Sequence, residues 1–463
     1  MNLEKVKYVY FLGAGGIGMS ALGRYFLQRG IAVGGYDKTP TSLTVELENE
    51  GMYITFDDSL DTLPEILKTP SVDPNVLVVY TPAIPKDHKQ FNYLKEYGVT
   101  LYKRAQILGI ISSNHTTLAV AGTHGKTTTS TLIAHILQVA GMQPVAFLGG
   151  IAVNYSSNYL PGNSSSLLVV EADEYDRSFL QLSPHSAVIT STDADHLDIY
   201  GKREDLIESF NLFAEKTNAD GYLITKVGID LDAKWVEKSK KYHTSLPADI
   251  ALKDCKLEGD MYHFSIDING HIIENLQLGL GGFHNVENAL AAAAICYYHG
   301  VKDDSIRIAF ANFRGVKRRF EYIVRNEKCI YIDDYAHHPE ELSACINSVK
   351  ALYPDKKITG VFQPHLYSRT RDFYEEFATS LSLLDEIILL EIYPARELPI
   401  EGVSSLALLE KIKSNNKLLC SKEQLVTVIL EKQPEVLLTL GAGDIDQFVN
   451  KIKDSLTANI QLT

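Results

Sequence analysis

Gly122-Thr123-His124-Gly125-Lys126-Thr127-Thr128 decides the fold. The apolar run before it, residues 117–121, reads as a buried strand. Residues 127–140 after it read as a helix that stops at Gly141. Strand, glycine loop, Lys-Thr and helix make a phosphate cradle, because backbone N–H groups of the loop and helix start point at the phosphates. Lys126 brings a positive charge to the β- and γ-phosphates, and Thr127 offers a hydroxyl to Mg2+. The loop is a shortened variant: the common pattern would place glycine at Val120, and the first glycine here is Gly122. A glycine turn with a solvated lysine is the plain alternative, and the flanking strand and helix argue against it.

The same alternation runs outward in both directions. Tyr8–Leu12 reads as a strand, followed by a glycine-rich turn, a helix near residues 19–29, and a strand at Ala32–Tyr36 that ends on Asp37. Val76–Tyr80 stops at Thr81-Pro82. Beyond the loop, strands at 167–170 and 187–190 lead into acidic stretches. Residues 240–280 read as short strands with Asn269-Gly270 as a hairpin turn, and residues 288–298 as an alanine-rich helix. After Arg318-Arg319-Phe320 the pattern restarts, with strands at 330–332, 357–362, 386–391 and Val436–Leu440. Strands alternating with helices predict parallel sheets covered by helices. The expected class is α/β with three domains: a Rossmann-like N-terminal domain (1–104), a central P-loop ATPase domain (105–319) and a Rossmann-like C-terminal domain (320–463). Ligands bind beyond the carboxyl ends of strands in such sheets, so three sheets predict a site assembled between domains.

The 463 residues are 45% apolar and 22% charged, enough material for several cores. A net charge of −14 argues against nucleic acid or an acidic membrane as partner, while leaving room for a locally basic site. Cys255, Cys296, Cys329, Cys345 and Cys420 show no metal-ligand spacing, as expected of idle thiols in a reducing compartment. No signal-peptide pattern opens the chain, and no apolar run approaches the roughly 18 residues of a membrane span. The expectation is a cytoplasmic monomer or homodimer without membrane insertion.

Three constellations flank the loop. Glu171-Ala172-Asp173-Glu174-Tyr175-Asp176 and Asp193-Ala194-Asp195-His196-Leu197-Asp198 sit at consecutive strand ends. They can bring a carboxylate and an imidazole to one Mg2+ that keeps phosphate oxygens and waters. Gly13-Ala14-Gly15-Gly16-Ile17-Gly18 is a G-x-G-x-x-G turn, and Asp37 stands where a ribose-binding carboxylate would. On residues alone that turn predicts a dinucleotide such as NAD.

The loop Gly-Thr-His-Gly-Lys-Thr-Thr resembles the ATP loop of the Mur ligases, which build the peptide of bacterial cell-wall precursors. The resemblance covers nearly the whole chain. It implies that Gly122, Thr123, His124, Gly125, Lys126, Thr127 and Thr128 hold ATP, with Thr127, Glu171 and His196 on Mg2+. His284-Asn285-Val286-Glu287-Asn288 would bring Asn285 and Asn288 to the adenine and phosphates. Arg319, on a hinge, would stabilise the transferring phosphoryl group. Asp334, in Asp333-Asp334-Tyr335-Ala336-His337-His338-Pro339, would reach ATP. Gly13, Gly15, Gly16, Gly18, Asp37 and Thr81 would hold a UDP-sugar diphosphate rather than NAD.

Most members carry a lysine after the histidine whose carbamate bridges to a second metal. Here the corresponding position is near Phe210, a departure shared with the alanine-adding branch. Gln363-Pro364-His365-Leu366-Tyr367-Ser368-Arg369-Thr370-Arg371 also resembles that branch, and implies that Tyr335, His365 and Arg369 surround the amino acid. In Tyr393-Pro394-Ala395-Arg396-Glu397 the family commonly has glycine where Arg396 stands. The implied activity is ATP-dependent joining of L-alanine to the carboxylate of UDP-N-acetylmuramate through an acyl phosphate, with His365 a candidate to take the amine's proton. The alternatives are a ligase that recycles a murein tripeptide and, more remotely, an NAD-dependent oxidoreductase.

Overall fold

The apolar run ahead of the phosphate loop forms the strand Thr116–Ala121, buried from Thr117 onward, in the middle of a ten-stranded sheet. The computed structural model describes residues 3–68, 73–163, 167–193, 197–395 and 397–461. Gly125 adopts φ +81° and opens the helix Lys126–Val139, whose residues from Thr127 to Leu137 are all buried. That helix ends as its sequence predicts. Gly141 takes φ +76°, its N–H bonds to the Gln138 carbonyl, and the Met142 N–H reaches back to Leu137. This is a Schellman end, which needs a left-handed residue at that position.

Three sheets organise the chain. The first is all parallel, in the order Tyr53–Thr55, Ala32–Tyr36, Tyr8–Leu12, Val76–Tyr80, Leu101–Lys103. In the second, Thr116–Ala121 lies between Ser186–Ile189 and Leu167–Glu171. On one side it continues through Val145–Ala152 to the antiparallel edge strand Ser157–Pro161. On the other it runs through Leu223–Lys226 and Lys240–His243 to Ile250–Glu258, Met261–Ile268 and His271–Leu278. The Asn269-Gly270 turn has φ +50° and +88°, the pair of positive angles a tight hairpin of this kind requires. The third sheet holds six strands where the sequence reading had four. An antiparallel edge strand, Glu321–Arg325, lies beside Ile330–Asp334, followed by Val436–Leu440, Ile358–Phe362, Glu386–Leu389 and Lys417–Leu419. This is the expected α/β class with three sheet-centred domains.

Residues 1–256, 263–277 and 287–313 form one compact unit, and residues 257–262, 278–286 and 314–463 a second. The first sheet and all of the second except a few end residues of its outer strands belong to the first unit. Arg24, 5% exposed, ties them: its guanidinium bonds Glu50 beside the first sheet and the Asn158 carbonyl oxygen in the second, at 2.5 Å. Asn158 returns two N–H bonds, to Ile17 O and Ser20 Oγ. Among the described residues no helix is long and apolar enough to cross a membrane, and all five cysteines are unpaired.

Candidate active site

The phosphate loop is braced from the next strand end. Thr190, Ser191 and Thr192 follow Ser186–Ile189. Thr190 Oγ1 donates to the Ala121 and His124 carbonyls at 3.1 and 2.5 Å. Ser191 Oγ accepts the His124 N–H at 2.9 Å and meets the Thr123 hydroxyl at 2.8 Å. Gly122, at φ +131°, has no room for a side chain: a Cβ there would sit 2.1 Å from Thr190 Oγ1. The Asn288 carboxamide lies against Gly125 of the loop. Asn285 belongs to the other unit and spends an N–H on the Gly281 carbonyl at 2.6 Å.

Lys126 folds back into its own loop. Its Nζ donates to the Gly122 and Thr123 carbonyls at 2.6 and 3.3 Å and to Glu174 Oε1 at 2.9 Å. The Glu174 side chain is 1% exposed and the Lys126 side chain 14%. Burial disfavours the ammonium, yet Glu174, Glu171 and Asp173 hold its pKa above the ordinary value. Burial lifts the Glu174 carboxyl above its own ordinary value despite the lysine. Glu174 lies in the acidic stretch 171–176, and no local spacing could pair it with a lysine 48 positions away.

Glu171 has a different environment. Its Oε2 is buried with no hydrogen-bond partner, and Gly149 lies directly against the carboxylate. A buried carboxylate oxygen without a donor suits a hard cation, so Glu171 and the helix-start hydroxyl of Thr127 fit Mg2+. His196, the third expected ligand, lies outside the described residues, as does Arg396. Among the described residues no group of three or more His, Cys, Asp or Glu is placed to hold a metal by itself. Phe210, at the position of the missing lysine, is fully buried. Gly149→Ala places a Cβ 2.1 Å from Glu171 Oε2, so we expect the carboxylate to be displaced. The Mg2+ concentration for half-maximal activity should rise by about tenfold with little change in Tm; an unchanged Mg2+ requirement would count against Glu171 as a ligand.

The glycine turn, Asp37 and Thr81 come together at the carboxyl ends of three adjacent parallel strands, as expected. Asp37 is already engaged, however: its Oδ2 accepts the Gly15 N–H at 2.7 Å and its Oδ1 the Thr39 N–H at 3.3 Å. It shapes the turn, a use the residue spacing could not reveal. A pocket of about 270 Å3 is lined by Gly16, Gly18, Thr81, Arg104, Gly149 and Glu171, among others. The Arg104 guanidinium packs against Gly18 and pairs with Asp173 at 3.3 Å. The sequence reading missed Arg104, an isolated arginine outside any motif.

In the second unit, Arg318 and Arg319 both lie over the Tyr335 ring, at 5.1 and 5.3 Å. Arg318 also pairs with the fully buried Asp333 at 3.1 Å and donates to the Gly441 carbonyl. Asp334 accepts the Phe320 and Ala336 N–H groups, both at 2.7 Å, and burial raises its pKa to about 6. The Asp334 carboxylate thus pins the arginine segment. His365 stacks on Tyr393, with ring centres 5.7 Å apart, and its Nδ1 is 3.4 Å from Arg369 Nη1. Burial, then Arg369, lowers the His365 pKa to about 4, so its imidazole is neutral at pH 7. His337 stands 6.3 Å from His365 and 5.2 Å from Tyr335, ring centre to ring centre. Tyr335, His365 and Arg369 therefore share one neighbourhood with His337, which had been given no role. Leu366, between His365 and Arg369, is held at φ +73°, ψ +136°, a conformation that L residues rarely adopt.

A phosphate loop with a buried lysine, a metal-ready carboxylate and a nucleotide-type glycine turn, all in one unit, defines a phosphate-handling enzyme. Three models of one family match the chain. They are the Mur ligase family catalytic domain over residues 8–116, the Mur ligase middle domain over 120–296, and the Mur ligase glutamate ligase domain over 318–443. The chain belongs to the Mur ligase family. A UDP-N-acetylmuramate–L-alanine ligase of Cytophaga hutchinsonii is 49% identical to it, over 98% of this chain and 97% of that one. The solved UDP-N-acetylmuramate–alanine ligase of Thermotoga maritima is 27% identical with a TM-score of 0.84, covering 98% of this chain and 99% of its own. A murein peptide ligase of Psychrobacter arcticus shares the fold at 22% identity and a TM-score of 0.71, over 97% and 98%.

Proposed function

We propose that this chain uses ATP to join L-alanine to the carboxylate of UDP-N-acetylmuramate, a step of peptidoglycan precursor synthesis in the cytoplasm. One observation carries the reading: the pocket lined by the N-terminal glycine turn is also lined by Glu171, the metal-ready carboxylate of the phosphate-loop unit. A UDP-sugar with its diphosphate at Gly13, Gly15, Gly16 and Gly18 would have its acid group within reach of that carboxylate's surroundings. The boundaries near residues 104 and 319 would then separate UDP-sugar, ATP and amino-acid functions.

In the proposed reaction a carboxylate oxygen of the substrate attacks the γ-phosphorus of ATP. The bond to the β-phosphate oxygen breaks, leaving ADP and an acyl phosphate. Lys126 leaves its loop carbonyls to neutralise the β- and γ-phosphates, and the loop N–H groups orient them. Mg2+ on Thr127 and Glu171, with His196 as a further ligand, would supply positive charge to the phosphates. Arg319 offsets charge on the transferring phosphoryl group. The free amine of alanine then attacks the acyl carbon, and the tetrahedral intermediate expels phosphate and leaves an amide. Arg369 takes the alanine carboxylate and Tyr335 flanks it. The proton that the amine loses leaves on the expelled phosphate; His365, the candidate acceptor, is a weak base for it, because burial and Arg369 hold its pKa at about 4.

Supplying ATP, Mg2+ and UDP-N-acetylmuramate with alanine, murein tripeptide or glutamate in turn, and measuring phosphate release, tests the reading. Release should require alanine; release with tripeptide alone would move the chain to the recycling ligases. An oxidoreductase reading has no support from Asp37, which is committed to its own turn. Arg369→Ala should raise the KM for alanine by about a hundredfold, roughly 3 kcal/mol for a charge-paired carboxylate, with the KM for ATP nearly unchanged. An effect confined to ATP would place Arg369 elsewhere.

A further inference from the structure

The helix Tyr367–Asp372 has six residues, and Arg369 is the third of them. A helix this short has little stability of its own. Its N-cap residue, Leu366, offers no side chain to the free N–H groups at the helix start. The missing cap arrives from 29 positions along the chain. Glu397 Oε2 accepts the Ser368 N–H at 2.9 Å, and Glu397 Oε1 accepts the Ser368 hydroxyl. A carboxylate at this end also suits the helix dipole.

The residues just before the helix are gripped by the same stretch of chain. The Tyr393 N–H donates to the Pro364 carbonyl at 2.8 Å, and the Leu366 N–H to the Tyr393 carbonyl at 2.9 Å. The Tyr393 backbone thus brackets His365 on both sides. The Glu397 N–H donates to the Pro394 carbonyl at 2.9 Å, which turns the carboxylate back toward Ser368. At the far end the buried Gln363 is fixed as well. Its amide donates to Asp444 Oδ1 at 2.8 Å and accepts the Ile445 N–H at 2.9 Å. The segment is therefore held at Gln363, at Leu366 and at Ser368, and Arg369 follows the last of these. Among the described residues no carboxylate lies within 4 Å of the Arg369 guanidinium, whose side-chain neighbour is His365. Glu397 orients this arginine without neutralising it.

We infer that Glu397 is a positioning residue for the amino-acid site: its cap on the helix Tyr367–Asp372 sets where Arg369 presents its guanidinium to the carboxylate of the incoming amino acid. The inference rests on the role proposed above for Arg369. Steady-state phosphate release by the full chain is measured for Glu397→Ala, Glu397→Gln, Arg369→Ala and the double variant Arg369→Ala/Glu397→Ala. Glu397→Ala should raise the KM for alanine by about tenfold, with the KM for ATP and for UDP-N-acetylmuramate unchanged. Glu397→Gln, which keeps one acceptor oxygen, should recover part of that loss. The double variant is decisive. If Glu397 acts through Arg369, its removal adds nothing once the guanidinium is gone. The KM should then stay near the roughly hundredfold rise of Arg369→Ala and not reach about a thousandfold. Should Glu397→Ala fail to fold, Ser368→Ala removes the hydroxyl arm alone, with a smaller rise and the same non-additivity expected. Three results would overturn the inference and leave the ligase reading standing: effects that multiply, a KM for ATP that rises with that for alanine, or an unchanged KM in Glu397→Ala beside a raised one in Arg369→Ala. Phosphate release that needs no alanine, or no effect of Arg369→Ala on alanine, would overturn the reading it rests on and the inference with it.

Discussion

Lys126→Ala lowers turnover by about a thousandfold, roughly 4 kcal/mol of transition-state stabilisation, while UDP-sugar binding stays near that of the parent. The size of the effect follows from where the ammonium sits. It occupies the mouth of the loop, on the Gly122 and Thr123 carbonyls, where phosphate oxygens would take its place. A second consequence concerns folding. The substitution strands Glu174, 1% exposed, without its ammonium. Breaking a buried pair costs about 3 kcal/mol, so Tm should fall as well. Adding Glu174→Gln to Lys126→Ala removes the stranded charge. The double variant should recover most of the lost Tm and none of the turnover. Phosphate-release kinetics and calorimetry on the two variants separate the two losses. Near-normal activity in Lys126→Ala would sink the phosphate-loop assignment.

Glu171→Gln is expected to cost about a hundredfold in turnover and to raise the Mg2+ concentration for half-maximal activity. The stability consequence is smaller here. Glu171 Oε2 is buried without a donor, but the carboxylate also favours the Lys126 ammonium, and the two effects oppose one another. The amide has the same shape without the charge, and Tm without Mg2+ should stay nearly level. A Mg2+ titration followed by phosphate release decides the matter: unchanged half-saturation removes Glu171 from the metal site. Together the two variants distinguish a group that touches phosphate and supports the fold from one that binds metal with little effect on the fold.

Much of this architecture was legible because its strands are short apolar runs that end in polar chemistry. Tyr8–Leu12, Ala32–Tyr36, Val76–Tyr80 and Val436–Leu440 all lie where the residue pattern put them. The strands that escaped notice are mostly at sheet edges or broken by glycine. Tyr53–Thr55 and Leu101–Lys103 have three residues each and are partly exposed, and Val145–Ala152 carries Gly149-Gly150 in its interior. The site was legible wherever chemistry and spacing coincided, as in the phosphate loop. It was opaque wherever a partner comes from far along the chain. Ser191 holds the His124 N–H across 67 positions, and Glu174 holds Lys126 across 48. Asp37 adds a use that spacing does not show: its carboxylate also accepts backbone N–H groups of Gly15 and Thr39.

Leu366 sets a limit on how far this protein can be made heat-resistant without losing its purpose. Its left-handed backbone, at φ +73°, costs about 1–3 kcal/mol, and a glycine there would relieve most of that. A laboratory selection for thermal survival should therefore find Leu366→Gly early. The same freedom would loosen the angle between His365 and Arg369, so that hardier variants require more alanine to reach half speed.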